Sequence, residues 1–473
     1  MGPSCPVRSE RLPGGSTMQR LISSTRTLAS PIRLGFQPLT IAAALLVACG
    51  GDDAAESNPS GGGIASLSDT GTATGSETDV ADDSGGSAKL DAAGGSATAG
   101  GGDCPGGNGM PGDLEFSNIW IANTPDGTVS KIDTMSGVEI GRYATGADSS
   151  SDPSRTSVNL LGDVAVVNRA GGTVIKIAAV EERCVDTNGD GTIQTSTGPN
   201  DVLPWGQDEC VLWETPLFTG ARAAAWDSGN DPENIDDMGC IVVDPLLWVS
   251  AMDESNTVHV WRLDGETGEM LDEATLPGWT GGWGGVYGGA TDRDRGFWAA
   301  GKDNTVLVHV DAETLELTVH DAPGYERFYG IAMDADGTPW VASEYDDRLL
   351  HFDTATEQFV DHGPTGHDSL RGLAIDGEGN AWIAANNPCD LVRFDAATGA
   401  YQNIALAECG TPVGVSIDVE GFIWVVDQGS DRAYKVDPNT TEVVTTVTGL
   451  SGPYTYSDMT GAGLSLVTNP PPG

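Results

Sequence analysis

Beyond position 118 apolar and polar residues alternate in short runs, each closed by a turn rich in Asp and Gly, a period-two pattern that marks strands rather than helices. The runs recur in a fixed order: an apolar strand, an Asp/Gly turn, a Trp-led strand, a polar loop, and two more strands joined by a Thr/Gly turn. The order is plainest in Tyr329-Gly-Ile-Ala-Met-Asp-Ala-Asp-Gly-Thr-Pro-Trp340, Arg371-Gly-Leu-Ala-Ile-Asp-Gly-Glu-Gly-Asn-Ala-Trp382 and Val413-Gly-Val-Ser-Ile-Asp-Val-Glu-Gly-Phe-Ile-Trp424. The steps from Trp298 to Trp340, Trp382 and Trp424 are each 42 residues. Four short strands at that period predict the blade of a β-propeller.

Trp-type strands stand at Trp120, at a degenerate copy from Val164 to Val167, and at Trp248, Trp298, Trp340, Trp382 and Trp424, which makes seven blades. The series opens on a second strand at Asn118, so the innermost strand of that blade must come from elsewhere. The segment from Gly452 to Met459 supplies it and closes the ring without a free edge. The expected fold is an all-β, seven-bladed β-propeller over residues 113–473 with circular closure by a C-terminal strand, preceded by a disordered linker.

The Gly-Ile-Ala, Asp-Gly and Trp wording of these blades resembles the virginiamycin B lyase (streptogramin lyase) group of seven-bladed propellers, over about 360 residues. The resemblance implies magnesium-dependent opening of a cyclic depsipeptide by elimination. It also implies a histidine just before the inner-strand glycine and a metal-binding glutamate three residues after the next strand's aromatic. The first position here holds Arg155, Arg222, Tyr287, Tyr329, Arg371, Val413 and Tyr454, and none is His. The second holds Asn123, Asn168, Ala251, Gly301, Ser343, Ala385 and Asp427, and none is Glu. His309 and His351 share a slot with Lys131, Arg262, Arg393 and Lys435, each two residues before a turn Asp, so a repeated scaffold role accounts for them. His362 and His367, placed in the loop leading to Arg371, remain as general bases for a lyase.

Lacking the family's His and Glu, the chain is expected to bind a ligand or partner at the propeller mouth rather than act as a lyase. Arg155, Arg222, Arg371, Tyr287, Tyr329 and Tyr454 are expected around one channel, with Glu344, Asn386, Lys302, Arg169 and Asp427 on the rim. Arginine's planar donors suit carboxylate, sulfate or phosphate, and tyrosine adds hydroxyls and a face for sugars, so the favoured ligand is anionic or glycan-like. The alternative is that the arginines neutralise acidic side chains on adjacent loops.

Charge sharpens this reading. The chain has 23 Lys+Arg against 69 Asp+Glu, a net of -46, so a cationic focus would stand alone, and general nucleic-acid binding is excluded. Arg20, Arg26 and Arg33 precede the apolar run from Leu39 to Ala48, which is too short to span a bilayer but suits a signal peptide over residues 1–48. Leu-Val-Ala-Cys49 resembles a bacterial lipobox, which makes Cys49 a lipid anchor. That placement implies the cell envelope, with the chain on the outer membrane facing periplasm or exterior. Residues 50–112 contain no aromatic residue and are dominated by Gly, Ser, Ala, Thr and Asp, as expected of a disordered leash.

Two further features concern stability. Asp186-Thr-Asn188-Gly-Asp190-Gly-Thr192 matches the start of a calcium loop, with position twelve occupied by Thr197 instead of Glu, so Asp201 or Asp208 would have to complete the shell. An even set of cysteines after Cys49 favours disulfides, with locality pairing Cys184 with Cys210 and Cys389 with Cys409, and elimination pairing Cys104 with Cys240. The calcium loop then lies in a disulfide-closed insertion at about residues 184–210.

Overall fold

The computed structural model describes residues 117–470, apart from 236–240 and 283. The expected signal peptide, Cys49, the expected glycine-rich linker, Cys104 and Cys240 lie outside the described residues. Among the described residues seven antiparallel blade sheets follow one another along the chain, six of them with four strands ordered from the inside outward, and one further sheet has two strands. Blade 5 is typical, with strands Phe328–Met333, Pro339–Ser343, Arg348–Asp353 and Gln358–Pro364.

The repeated Asp and Trp of each motif are two ends of one device. Asp334 Oδ1 accepts the backbone N–H groups of Asp336 and Thr338 (both 2.9 Å), while its Oδ2 accepts the Trp340 indole N–H (2.9 Å). Asp292, Asp376 and Asp418 repeat the arrangement with Trp298, Trp382 and Trp424. The turn and the indole are thus fixed by a single carboxylate, and each Trp is then free to pack between blades. Trp298, for example, joins Leu307 of its own blade to Phe328 and Phe352 of the next.

The basic slot also has a structural cause. Its residue pairs directly across from the Trp of the second strand, as Lys131 does with Trp120, Arg262 with Trp248, His309 with Trp298 and Lys435 with Trp424. Lys176 fills the slot in blade 2, opposite Ala165, a member that the degenerate sequence of that blade conceals. The lysines of this series reach across to the neighbouring blade: Lys131, Lys176 and Lys435 donate to the carbonyls of Ala179, Gly265 and Thr134 at 2.7, 2.9 and 2.8 Å.

Blade 1 contributes only Asn118–Asn123, Thr128–Asp133 and Val138–Ala144. The C-terminal segment lies along the first of these. Trp120 N–H donates to the Met459 carbonyl (3.0 Å), Tyr454 N–H to the Ala122 carbonyl (3.0 Å), and Asn123 pairs with Pro453. Closure is therefore circular, although Pro453, without an N–H, leaves a single bridge in place of a full ladder.

Two elements escaped the strand pattern. A hairpin of Asn230–Ile235 and Ile241–Val243 forms a separate two-stranded sheet, inserted in the chain between the first and second strands of blade 3. After the closing segment the chain forms a helix, Ala462–Thr468, under the channel at the C-terminal ends of the inner strands. Asp458 holds its start by accepting the N–H groups of Gly461 (2.8 Å) and Leu464 (2.9 Å). Leu464 packs into the Trp226 cluster and Val467 into the Met333 cluster, so one short helix ties several blades together. Between it and the inner strands remains a cavity of about 60 Å³ lined by Trp226, Met333, Ile375, Ser416 and Asp458.

Candidate functional site

The opposite end of the channel carries the residues expected at the mouth. In blades 5, 6 and 7 the ladder between first and second strand shifts register around the slot occupied by Tyr329, Arg371 and Val413, whereas in blade 2 the shift falls at Ser154 and Arg155, expected in the slot, takes the position of the following glycine, paired with Val167. Such a bulge re-aims a side chain. The glycine after the slot is required by crowding at the axis: a Cβ on Gly372 would stand 2.7 Å from the Val413 carbonyl oxygen, and one on Gly414 2.0 Å from that of Thr455.

The slot residues converge in a tyrosine core with a cationic collar. Tyr454 is the hub, its hydroxyl 2.7 Å from that of Tyr287 and 2.8 Å from that of Tyr329. Tyr456, two residues along the closing segment, packs against Tyr287 and Tyr329 with ring centroids 5.4 and 4.6 Å apart. It was missed at the slot level, yet its period-two spacing from Tyr454 puts both on one face. Arg155 is wholly buried beneath this core, with a guanidinium that donates to the Ser154 and Tyr287 carbonyls and lies over the Tyr287 ring at 4.7 Å. Arg222 lies over the same ring at 4.6 Å, Arg371 over Tyr329 at 5.4 Å and Arg169 over Tyr454 at 5.6 Å. Lys302 stands above both Tyr287 (4.2 Å) and Tyr329 (5.0 Å).

Charge pairing around this collar is uneven. Arg169 is held by Asp152, and Arg327 by Asp303 at 2.6 Å. Glu344 is shared, 3.6 Å from Arg327 and 4.0 Å from Lys302. Glu344 Oε2, Arg155 Nε and Arg371 Nε are buried without a hydrogen-bond partner among the described residues. Burial raises the Tyr287 phenol, but the Arg155 and Arg222 guanidiniums and the hydrogen bonds from Tyr454 and Tyr456 outweigh it, and the net shift is downward. Burial pushes Tyr329 and Tyr456 well above the ordinary phenol range. It also lowers the Lys302 ammonium, with Arg327 and Arg222 adding to the effect and Glu344 opposing it.

Other sequence candidates fall elsewhere. His362 belongs to the outer strand Gln358–Pro364, not to a loop at the mouth; it stacks on Trp340 at 4.8 Å and meets His351 Nδ1 through Nε2 at 2.8 Å. His367 does precede the inner strand, but its side chain is buried between Thr365 (3.1 Å) and Asp390 (3.1 Å). Asp427 is buried, accepting the N–H groups of Gly410 (2.7 Å) and Thr411 (2.5 Å), and thereby secures the loop that the Cys389–Cys409 disulfide ties to blade 6. Asn386 donates its amide to the Pro412 carbonyl (3.1 Å). Both therefore serve loop geometry rather than a free rim.

Cys184 and Cys210 are bonded, as locality required. Within their loop Asp186 accepts the N–H groups of Gly189 and Gly191, and Asp190 that of Thr192. Asp208 is committed to Ser196, and Asp201 to Thr197, so neither bends back toward Asp186. Glu209 anchors the loop instead, taking the N–H groups of Thr187 and Gln194. Among the described residues the group of three His, Cys, Asp or Glu side chains close enough to share an ion is Cys389, Cys409 and Asp427, where the disulfide occupies both sulfurs.

No family model matches the chain, and no curated protein matches it. Solved structures do resemble it. A streptogramin B lyase is 14% identical, with 66% of this chain and 87% of that one covered at a TM-score of 0.49. Virginiamycin B lyase from Staphylococcus aureus is 12% identical over 65% and 89%, at 0.45. AztD from Citrobacter koseri is 12% identical over 72% and 96%, at 0.44. The order of strands in the chain's own sheets identifies a seven-bladed β-propeller.

Proposed function

We infer that the chain is an envelope lipoprotein whose propeller mouth binds an anionic or glycan-like ligand without chemical conversion of the family's kind. The observation carrying this reading is the collar itself: Lys302, Arg222 and Arg371 surround a floor of tyrosine hydroxyls, and Glu344 is the carboxylate that Lys302 shares with Arg327. Polar groups converging on an aromatic floor suit a ligand that brings negative charge and a stacking face. The lyase alternative would need a base and a metal-binding carboxylate together, whereas His367 is buried against Asp390 and His362 sits on an outer strand.

The test is a thermal-shift and calorimetric screen of acidic sugars, dicarboxylates and acidic peptides against wild type and Arg371→Ala. Wild type should be stabilised in a saturable way and the variant should not. No response from wild type, or equal responses from both, would leave Arg371 as a structural neutraliser and remove the reading. Incubation with a type B streptogramin and magnesium provides the opposing check: linearisation lost in His367→Ala would establish a lyase instead.

A further inference from the structure

Lysine is scarce here, with Lys89, Lys131, Lys176, Lys302 and Lys435 making up the whole set. Three of the four in the propeller belong to the basic slot and donate to main-chain carbonyls of a neighbouring blade. Lys302 is outside that series. It follows the second strand of blade 4, Phe297–Gly301, and its Nζ faces tyrosine rings at 4.2 and 5.0 Å with Glu344 at 4.0 Å. Its side chain keeps 19% exposure, so the amine is both sheltered and reachable. Arg222, Arg327 and Arg371 stand around it, and cationic neighbours in a desolvated site favour the neutral amine, which is the nucleophilic form.

We propose that Lys302 is an imine-forming lysine, and that the mouth captures a small aldehyde or ketone carrying a carboxylate or phosphate. The inference rests on the mouth being a ligand site and adds the class of ligand. Arg371, whose Nε lacks a hydrogen-bond partner, takes the anion. The Lys302 Nζ lone pair attacks the carbonyl carbon, and the C=O π pair moves to oxygen. Proton transfer from nitrogen to that oxygen gives a carbinolamine, whose loss of water forms the C=N bond. Glu344 is placed to take the ammonium proton first and to return one to the departing hydroxyl. The step needs no oxidant or reductant and reverses by hydrolysis.

The experiment uses the full chain with pyridoxal phosphate, an aldehyde that carries a phosphate and an aromatic ring, followed by cyanoborohydride to fix any imine and peptide mass spectrometry to locate it. Lys302 should be labelled at least about tenfold faster than Lys89, the internal reference in the glycine-rich segment. Labelling should fall when pyridoxal replaces its phosphate and in Arg371→Gln, and it should vanish from that position in Lys302→Arg. Equal labelling of Lys302 and Lys89, or indifference to both phosphate and Arg371, would overturn the proposal. Citrate, an anion without an aldehyde or ketone, separates the two readings. If citrate stabilises wild type but not Arg371→Gln while no adduct forms, the binding mouth stands and the imine falls. Should citrate also have no effect, both fall.

Discussion

Asp376 holds four donors at once, the N–H groups of Glu378 (3.0 Å) and Asn380 (2.8 Å), the Asn380 side-chain amide (3.0 Å) and the Trp382 indole N–H (2.9 Å). Removing one acceptor therefore leaves several donors unpaired, one of them on a fully buried Trp. Asp376→Ala is expected to cost about 2–4 kcal/mol in urea unfolding, and Asp376→Asn, which keeps one oxygen for the turn, distinctly less. Histidine gives a second residue-scale expectation. Burial, followed by the charge of His351, holds His362 down to about 4 from its ordinary 6.5. In that window the unfolded chain binds more protons than the folded one, so stability falls as pH drops from 6.5 towards 4. The melting temperature should decline over this range, and His362→Phe, which keeps the stack on Trp340, should flatten the decline.

At the scale of elements, legibility followed the repeat. A Trp every 42 residues and an Asp six residues before it are sufficient to place second strands and turns, because the same hydrogen bonds recur in each copy. Elements outside the repeat carried no such signal. The helix Ala462–Thr468 is too short for helical periodicity to declare itself, and its reason to exist is a channel end that only closure creates. The mouth was legible as a set of slot positions where an inner-strand glycine marks them, as after Tyr287, Tyr329, Arg371 and Val413, but blade 2 lacks that glycine and its slot falls at Ser154 rather than Arg155. Which side chains remain open was not legible: Asp427 has the composition of a rim carboxylate, and only the positions of Gly410 and Thr411 show where its oxygens are spent.

The calcium loop belongs to this scale. Asp186, Asn188, Asp190 and the Thr192 carbonyl are proposed as ligands of a structural calcium, with Asp201 and Asp208 engaged elsewhere. Millimolar calcium should raise the melting temperature by a few degrees, an effect reversed by chelation and absent in Asp186→Ala with Asp190→Ala. At ten times its dissociation constant a ligand contributes about 1.4 kcal/mol. A melting temperature indifferent to calcium would dismiss the site.

For the whole molecule, closure decides cooperativity. The last segment fills the inner position of the first blade, and the helix after it packs against the Trp226 and Met333 clusters, so neither half of the ring is finished without the C-terminus. A chain ending at Gly449 should fail to give a protease-resistant core, whereas the full chain should yield one resistant body with a single unfolding transition. Two separately stable halves would contradict this reading.

The first described strand has a direction as well as a place. Asn118–Asn123 starts beside Met459, at the helix end of the channel, and finishes beside Pro453, next to the tyrosine floor. Ser117 and the tyrosine floor thus stand towards opposite ends of the channel, and a ligand can reach Lys302 and Arg371 without passing the start of that strand.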